Sequence, residues 1–429
     1  MQTLTPTLKE RYQSLDFLRG IAVLGILLMN IDSFSFPQAQ HSHFTNFTGI
    51  NYESWKIVSI FFEGTMRGLF SMLFGASCML ILSKTNSNDS VDIYYRRLFW
   101  LFLLGLFNAY ILLWHGDILY GYAIAGMFLF PFRKLNAKYL IIIGLCISIS
   151  VFGRLTYRYI VHRKPIYTAY HAAMTDSLKF HKKLSVKQKD DISKFKDLSK
   201  HFKKDTASIN SEIRTMRGNY VSVFNKRWTD GEEVQKWTLY DYNFWDYILM
   251  MFIGMGFYKL GVFTNQLSSK QYLYLMLGGY AVGLLIRIPF VNSFYFTEKE
   301  MEHFFETYTI PTGAVSHIGR VFMTVGHIGL LMLMYQSGWF KGFVNIISKA
   351  GQMALSNYLL ESILCGLFFY GFGFGMFAKL QIYQNYLFVG VVWIICLTFS
   401  NIWLRYFQFG PFEWLWRSLT YWKKQPFKK

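Results

Sequence analysis

The sequence predicts an all-α polytopic membrane protein, a bundle of about ten transmembrane helices with an extracytoplasmic basic helical insert. Three observations lead to this class. Hydrophobic residues make up 53% of the 429-residue chain and aromatic residues 20%, which is more than a soluble protein can hide from water. Apolar runs long enough to span a bilayer, which takes about 20 residues, recur between residues 17 and 404. One polar stretch, residues 154–241, interrupts them.

Ten apolar runs of roughly 17 to 25 residues are the predicted spans. They begin near Phe17, Ile57, Leu98, Ile118, Tyr139, Phe244, Tyr272, Ile310, Ala354 and Tyr386. The chain therefore divides into four parts: spans 1–5 (residues 1–153), the insert (residues 154–241), spans 6–10 (residues 242–404) and an aromatic, basic tail (residues 405–429). An even number of spans puts both termini on one side of the membrane.

Positive charge in the connecting segments predicts the orientation, because short cytoplasmic loops carry an excess of Lys and Arg. Nineteen Lys and Arg lie in the short segments on the side that holds both termini, against three on the other side. We therefore predict that both termini lie in the cytoplasm. The net charge of +19 then belongs to loops and headgroup-facing surfaces and does not indicate binding of nucleic acid.

The insert is predicted to form basic amphipathic helices. It contains 19 Lys and Arg against 10 Asp and Glu. Its apolar residues recur at near-helical spacing, and they are Leu178, Leu184, Ile192, Phe195, Leu198 and Phe202. Two interpretations are open: a solvated subdomain that covers the mouth of the bundle, or a surface that docks on an anionic envelope polymer or lipid headgroup.

The tail and the cysteines give less information about function than the spans do. Trp414, Trp416 and Trp422 lie beside basic residues, a composition typical of an anchor at the membrane interface. The four cysteines lie within apolar runs and lack the paired spacing of metal sites or disulfide frameworks. The sequence therefore predicts no metal.

Ionisable side chains within spans are costly and mark functional sites by default. In the first span, Asp16, Arg19 and Asn30 fall on one helical face. Asp16 and Arg19 are three residues apart and can pair at the cytoplasmic mouth, either as an anchor or as a ligand site. Asn30 lies about 21 Å further along the helix, near the outer mouth.

The eighth span carries a stripe of basic residues. His317, Arg320 and His327 project within an arc of about 80°, together with Thr324. Three such groups cannot all face lipid, so they face the interior, a wet cavity or a ligand. Arginine there suits recognition of phosphate or carboxylate.

Outer histidines supply candidates for a general base. In the connection WHGDILYGYAIAG, His115 precedes Asp117 by two residues, and a carboxylate close to an imidazole can fix its tautomer and raise its basicity. The alternative is a loop histidine that only meets water. His41 and His43, in the first outer loop, belong to the same compartment.

Two further pairs are spaced i, i+4 within spans. Asn357 and Glu361 lie on the ninth span, and Glu63 and Arg67 on the second. Two interpretations of each pair are open. The side chains form hydrogen bonds, within one helix or between helices, or they bind substrate.

Five segments of the chain are distinctive as an ordered set: LDFLRGIAVLGILLMNIDSFSFP, FFEGTMRGLFSMLFG, GDILYGYAIAG, AGQMALSNYLLESILC and FGPFEWLWRSLTYWKKQP. Together they resemble the YeiB-like family of uncharacterised bacterial inner-membrane proteins. The likeness covers nearly the whole chain except the insert. That family is similar to the transmembrane acyltransferases, among them the heparan-glucosaminide acetyltransferases. The resemblance implies a location in the bacterial inner membrane. It also implies that an acyl group passes from coenzyme A on the cytoplasmic face to an acceptor outside. It also matches Asn30 and His41 to a membrane asparagine and a catalytic histidine.

We therefore expect a membrane acyltransferase that moves an acetyl or other acyl group from acyl-CoA to an envelope saccharide or lipid-linked glycan. The expected catalytic residues are His115, Asp117, His41 and Asn30, the expected donor-binding residues are Asp16, Arg19 and Arg320, and the expected substrate-binding residues are His317, His327, Asn357, Glu361 and Glu63. The expected partners are membrane lipid and the acceptor. The alternatives are a transporter or exporter of a small anionic or amphiphilic metabolite, and a non-catalytic protein that binds lipid or partner proteins.

Overall fold

The computed structural model describes residues 12–37, 47–82, 88–178, 180–181, 183–199, 206–294 and 298–429. Within these ranges the chain is almost entirely helical and contains no β-strand, apart from one isolated bridge between Phe407 and Lys428. The predicted all-α class is therefore confirmed.

The helices are numbered in chain order. The first ten are α1 (Gln13–Ser35), α2 (Ile50–Phe61), α3 (Thr65–Leu82), α4 (Asn88–Tyr110), α5 (Leu119–Met127), α6 (Ala137–Arg158), α7 (Lys164–Leu178), α8 (Val186–Ser199), α9 (Thr206–Met216) and α10 (Tyr220–Glu233). The others are α11 (Phe244–Lys259), α12 (Ser269–Asn292), α13 (Glu298–Thr307), α14 (Thr312–Ser337), α15 (Lys341–Gln352), α16 (Ala354–Phe369), α17 (Ile382–Tyr406) and α18 (Pro411–Tyr421). Short 3₁₀ or π-helical turns occupy Phe130–Lys134, Tyr159–Arg163 and Val234–Asn243.

Six helical stretches of the described chain are long and apolar enough to cross a bilayer. They are Gln13–Ser35, Ile50–Ile81, Ala137–Leu178, Ser269–Asn292, Thr312–Ser337 and Ile382–Tyr406. The fourth predicted span is not a single spanning helix. Its helix α5 has 9 residues, about 14 Å at 1.5 Å per residue, against a hydrocarbon core of about 30 Å. A total of ten spans stays a prediction.

The bundle has two ends, which we name by the first helix. The proximal end is where α1 begins at Gln13, and the distal end is where α1 finishes at Ser35. At the proximal end Gln13 bonds Asn345 of α15. At the distal end the Ser35 carbonyl accepts from the amide of Ala378, in the loop before α17. The predicted orientation makes the proximal end cytoplasmic.

A break divides the second predicted span. Helix α2 ends at Phe61, α3 begins at Thr65, and Gly64 between them has φ +72°. This conformation favours glycine, and a Cβ here would collide with the Arg320 side chain of α14. The break therefore lets α14 approach the end of α2 closely.

Side chains of two other helices satisfy the carbonyls that the break exposes. Arg287 of α12 donates through Nε to the carbonyl of Ile60 at 2.7 Å, and through Nη2 to that of Ser59. His327 of α14 donates through Nε2 to the carbonyl of Phe61 at 2.8 Å. Such caps are needed because a helix end in hydrocarbon finds no water to bond its carbonyls.

Glycines set the closest contact between α3 and α11. A Cβ on Gly75 would overlap the Met251 backbone, and one on Gly254 would overlap the Met72 backbone. The two helices therefore pack backbone to backbone, as small residues allow in membrane bundles. This contact fixes the spacing at which their polar residues meet further toward the distal end.

The insert is helical and packs on the other long distal connection. Its α7 carries Tyr167 and Tyr170, whose hydroxyls donate to Glu306 Oε1 at 2.8 Å and Glu302 Oε1 at 3.0 Å on α13. A separate apolar core joins the two connections and consists of Tyr159, Tyr167, Phe195, Met301, Phe304 and Phe305. The insert is thus tied to the bundle through α13, and its extracytoplasmic location stays a prediction.

The aromatic tail is packed against the proximal end. The Glu413 carboxylate of α18 accepts from the amides of Leu355 at 2.7 Å and Ser356 at 3.0 Å, in the first turn of α16. The Trp416 indole donates to the Arg97 carbonyl of α4 at 2.9 Å. Glu413 thereby caps α16 from another part of the chain.

Glu413→Ala is expected to lower the free energy of unfolding by about 0.5–2 kcal/mol, the usual cost of losing an N-terminal cap. Glu413→Gln, which keeps one acceptor oxygen, should lose less. Glu53, exposed in the first turn of α2, provides the control as Glu53→Ala. Thermal unfolding in detergent measures the three variants, and equal midpoints for Glu413→Ala and Glu53→Ala would contradict the cap.

The orientation is tested with introduced cysteines. Val186→Cys, in the insert and 86% exposed, should react with a membrane-impermeant maleimide in intact cells once any outer membrane is permeabilised. Trp339→Cys, at the proximal end and 90% exposed, should react only after lysis. The native chain serves as the blank, and the reverse labelling pattern would overturn the orientation.

Candidate functional site

A cavity of ≈ 360 Å³ lies at the distal end, between α6, α12, α14 and the turns that adjoin them. Its charged lining residues are Glu63, Arg158, Arg163, Asp241, Arg287 and Arg320. Four guanidinium groups thus face two carboxylates. The excess of positive charge makes the cavity suited to an anion.

Neighbouring arginines already neutralise one of the two carboxylates. Asp241 Oδ2 lies 2.6 Å from Arg158 Nη1, and Asp241 Oδ1 lies 3.2 Å from Arg154 Nη1. Glu63 is 47% exposed, and its Oε2 lies 3.7 Å from Arg287 Nη2. Glu63 is therefore the carboxylate of the cavity that is more available to a ligand.

A buried ion network lies directly beneath the cavity. Asp246 of α11 is 1% exposed. Its Oδ2 lies 2.8 Å from Arg67 Nη2 of α3, and its Oδ1 lies 3.3 Å from Arg320 Nη2 of α14. A carboxylate at this depth is tolerable only when it is paired. Asp246 thus joins three helices and holds Arg320 at the cavity.

His317 is part of the same network. Its Nδ1 lies 2.6 Å from Arg320 Nη2 and 3.5 Å from Asp246 Oδ1. Arginine can only donate, so Nδ1 accepts and the ring proton resides on Nε2. That Nε2 is buried and has no hydrogen-bond partner within the described chain. Arg320 also donates to the Tyr242 hydroxyl.

His327 shares the helical stripe with His317 but is fully bonded within the protein. Its Nδ1 accepts from the Tyr280 hydroxyl at 2.8 Å, and its Nε2 donates to the Phe61 carbonyl at the break before α3. His327 is absent from the cavity lining. These bonds give His327 a structural role, and its expected contact with substrate stays a prediction.

The structure shows no hydrogen bond between His115 and Asp117, and their catalytic role stays a prediction. Asp117 accepts from Asn108 Nδ2 at 2.8 Å and from the Tyr120 amide at 2.9 Å, so that it caps α5. His115 is 4% exposed, and its Nδ1 has no hydrogen-bond partner in the described residues. The backbone needs the carboxylate as a helix cap, which spacing along the chain cannot reveal.

The other expected catalytic residues are less defined. Asn30 is half-buried near the distal end of α1. His41 and its neighbour His43 lie outside the described residues. Their roles stay predictions.

At the proximal end the predicted pair in α1 is confirmed. Arg19 Nη1 lies 3.0 Å from Asp16 Oδ1. Arg19 also donates through Nη2 to Ser77 Oγ of α3 at 3.2 Å. The pair therefore links α1 to α3 and leaves the Arg19 side chain 26% exposed.

The pairs spaced i, i+4 do not bond internally. Asn357 donates to Ser400 Oγ of α17 at 2.9 Å, a hydrogen bond between helices. Glu361 is 3% exposed, and its Oε1 has no partner in the described chain. Arg67 turns to Asp246 and away from Glu63.

Sequence reasoning missed Asp246, Arg287 and the arginines at the start of the insert. The signal was present for Asp246 and Arg287, since each is an ionisable residue within an apolar run and so a functional candidate by the rule used for Arg320. Arg158 and Arg163 carried no such signal, because they lie in a segment rich in basic residues. Across the described ranges, no group of three or more His, Cys, Asp or Glu is placed to hold a metal ion.

Comparison with known proteins shows a likeness to one family and gives no activity. Residues 257–423 match the family described as "Protein of unknown function (DUF418)". The chain is 27% identical over 439 residues to "Uncharacterized protein YxaH" of Bacillus subtilis (strain 168), covering 100% of this chain and 99% of the relative. It is also 27% identical over 419 residues to "Uncharacterized protein YeiB" of Escherichia coli (strain K12), covering 96% of each.

A third relative, from Bacillus acidopullulyticus, is an "Uncharacterized 39.9 kDa protein in amylase 3'region", 23% identical over 428 residues with 98% of this chain and 96% of the relative covered. No solved structure matches the chain. The likeness to the first two relatives extends over nearly the whole length of each protein, and it includes the segments that predicted the family. These matches confirm the predicted resemblance of the chain to the YeiB-like family.

Proposed function

We propose that the protein is a membrane acyltransferase that moves an acyl group, such as acetyl, from a CoA-type donor to an envelope saccharide or lipid-linked glycan outside the cell. The observation that supports it is the arginine-lined distal cavity. A guanidinium group binds a carboxylate or phosphate with two parallel hydrogen bonds. Arg287 and Arg320 would hold an acceptor that carries such a group, in a site whose shape the Asp246 network fixes.

Donor and acceptor would occupy opposite ends of the bundle. With the proposed orientation, the proximal pair Asp16–Arg19 faces the cytoplasm, where acyl-CoA is made, and the cavity faces the envelope. Arg19 is partly exposed and suits the anionic carrier. The same separation follows from the family resemblance to transmembrane acyltransferases.

Glu63 is the group we assign as general base. It lines the cavity and is 47% exposed, so an acceptor hydroxyl can reach it. With its carrier held at the proximal end, the acyl thioester would have to extend through the bundle to the cavity. There Glu63 takes the hydroxyl proton while the acceptor oxygen bonds to the acyl carbonyl carbon. The carbon–sulfur bond then breaks, and the departing thiolate recovers the proton from Glu63. A general base of this kind contributes about 10²–10⁴-fold to the rate. His41, implied by the family resemblance, is the competing base.

One observation favours a second function, proton-coupled transport of a small anion. Glu361 is buried in α16 and has one carboxylate oxygen without a partner in the described chain. Ionisable groups of this kind mark proton relays in pumps and transporters. Under this alternative, Glu361 would exchange protons while the arginine-lined cavity accepts the anion.

Glu63→Gln is expected to reduce acyl transfer by about 10²-fold or more, because the amide cannot accept the proton. The control is Glu53→Gln, an exposed glutamate on α2, which should keep native activity. Transfer of radiolabel from acetyl-CoA to the saccharide and lipid fractions of membranes measures the effect. Native transfer by Glu63→Gln would point to His41 as the base. Proteoliposome uptake without acyl consumption would favour transport.

Arg320→Lys should raise the KM for the acceptor by about 10-fold with a smaller effect on kcat, since lysine keeps the charge but not the two parallel bonds of guanidinium. Arg405→Lys, exposed at the proximal end of α17, is the matched control. Steady-state kinetics at saturating donor give both constants. An unchanged KM would remove Arg320 from acceptor binding.

A further inference from the structure

We propose that the distal cavity binds the diphosphate headgroup of a membrane lipid, and that this lipid enters sideways from the bilayer, between α6 and α12. The proposal rests on the depth, the borders and the charge of the cavity. The further step, that such a lipid is the acyl acceptor, rests on the proposed function.

The cavity lies where three helices that are long and apolar enough to span a bilayer begin or end. Its lining includes Arg158, the last residue of α6, and Arg287, five residues before α12 ends at Asn292. Gly313 and Ala314, which also line it, belong to the first turn of α14. Spanning helices end near the lipid headgroups. The cavity therefore lies at the depth of a phosphate group in the distal leaflet.

Two peripheral helices border the cavity. Only 22% of the residues are buried in the most apolar window of α6, and the same share in that of α12, against 61% in α14. Both helices pack on α14. Leu155 of α6 and Phe290 of α12 line the cavity, and each lies three residues from a lining arginine of its own helix. The cavity thus has apolar borders on two lipid-facing helices, which suit a hydrocarbon chain attached to a charged headgroup.

Positive charge in and around the cavity exceeds negative charge. The lining contributes four arginines and two carboxylates, those of Glu63 and Asp241. The groups in direct ion pairs with the lining add Arg154, Arg67 and Asp246. Six guanidinium groups therefore share three carboxylates. A ligand with a single charge would leave most of this excess uncompensated, whereas the two adjacent phosphates of a diphosphate offset more of it.

The lining arginines come from two parts of the chain. Arg287 and Arg320 belong to the bundle, where Arg287 Nε donates to a backbone carbonyl of α2 at 2.7 Å and Arg320 Nη2 lies 3.3 Å from Asp246 Oδ1. Arg158 and Arg163 belong to the end of α6 and to the π-helical turn that follows it, and Arg163 is exposed. Two arginines on each side suit two neighbouring phosphates, because each guanidinium presents paired donors.

The size of the cavity matches a headgroup and excludes a whole lipid. Its volume of ≈ 360 Å³ lies at the low end of the range for ligand pockets, about 300–1,000 Å³. The hydrocarbon chain must then stay in the bilayer beside Leu155 and Phe290. A sugar on the second phosphate would lie close to Glu63, the proposed base, since Glu63 lines the same cavity.

The test measures binding to the purified full chain in phosphatidylcholine nanodiscs by titration calorimetry, with empty nanodiscs as the blank. Farnesyl diphosphate is the lipid probe, and inorganic pyrophosphate represents the headgroup alone. The native chain should bind farnesyl diphosphate at least about 10-fold more tightly, because the hydrocarbon chain adds apolar contact. Arg163→Gln should weaken the binding of both probes by about 10-fold, the usual effect of losing a charged hydrogen bond.

Leu155→Asn distinguishes the hydrocarbon chain from the headgroup. It should weaken farnesyl diphosphate binding by about 5-fold or more and leave pyrophosphate binding unchanged. Two matched controls should leave both affinities unchanged. They are Arg214→Gln, exposed on α9, and Ile149→Asn, which is 64% exposed and lies about 120° around α6 from Leu155. Thermal unfolding in the same nanodiscs shows that the variants are folded.

Three results would contradict the proposal. Equal affinity of the native chain and Arg163→Gln for both probes would overturn the site, as would an equal loss in Arg214→Gln. Equal binding of the two probes, unchanged by Leu155→Asn, would indicate a site for a free anion. Loss of farnesyl diphosphate binding when phosphatidylglycerol is added to the nanodiscs would show that any anionic lipid occupies the cavity.

The proposed function is tested separately, by transfer of radiolabel from acetyl-CoA. Binding that depends on Arg163 and Leu155, in a chain that transfers no acyl group, upholds the lipid site and rejects the proposed function. Transfer to a water-soluble saccharide, by a chain that binds neither probe, upholds the acyltransferase and rejects the lipid site.

Discussion

The paired carboxylate of Asp246 is the interaction on which the distal half of the bundle depends. It is almost fully buried, and it joins α3 and α14 to α11 through Arg67 and Arg320. Without the carboxylate, two guanidinium groups would be buried without compensation, which costs several kcal/mol. The pairing also sets where Arg320 lies, and through Arg320 the tautomer of His317 and the shape of the cavity above. The same carboxylate thus supports both the packing of the helices and the geometry of the candidate site.

A second constraint is that backbone carbonyls within a membrane need hydrogen-bond donors. The break between α2 and α3 leaves carbonyls without their partners within the helix, and Arg287 and His327 bond them. Basic residues of the distal end therefore divide into two sets, according to whether they line the cavity. Arg67 and His327 bond only groups of the protein outside the cavity lining, whereas Arg158, Arg163 and Arg320 line the cavity. Arg287 serves both purposes, since it caps α2 and lines the cavity.

The sequence predicted those features that depend on local spacing. Apolar runs gave the membrane class, and the i, i+3 spacing of Asp16 and Arg19 gave a pair that the structure contains. The contacts His317–Arg320 and Asp16–Arg19 share this origin. Each lies within one helix turn, where geometry follows directly from sequence.

Features that depend on other helices were out of reach. Arg67 was expected beside Glu63, but its partner Asp246 lies 179 residues away. Asp117 was expected to serve His115, but it caps α5. Hydropathy also cannot show where a helix ends, so it counted the short α5 as a span. In each of these cases the outcome depends on which residues pack against the side chain or the helix in question.

The central claim, that Asp246 couples α3, α11 and α14 through its arginines, is tested most directly by a double-mutant cycle on the unfolding of the purified protein. Asp246→Asn alone should cost about 3–5 kcal/mol, because it leaves two buried arginines without their counter-charge. Adding Arg320→Gln should then cost much less than it does in the native chain. Two losses that add within about 0.5 kcal/mol would show independent residues and contradict the account.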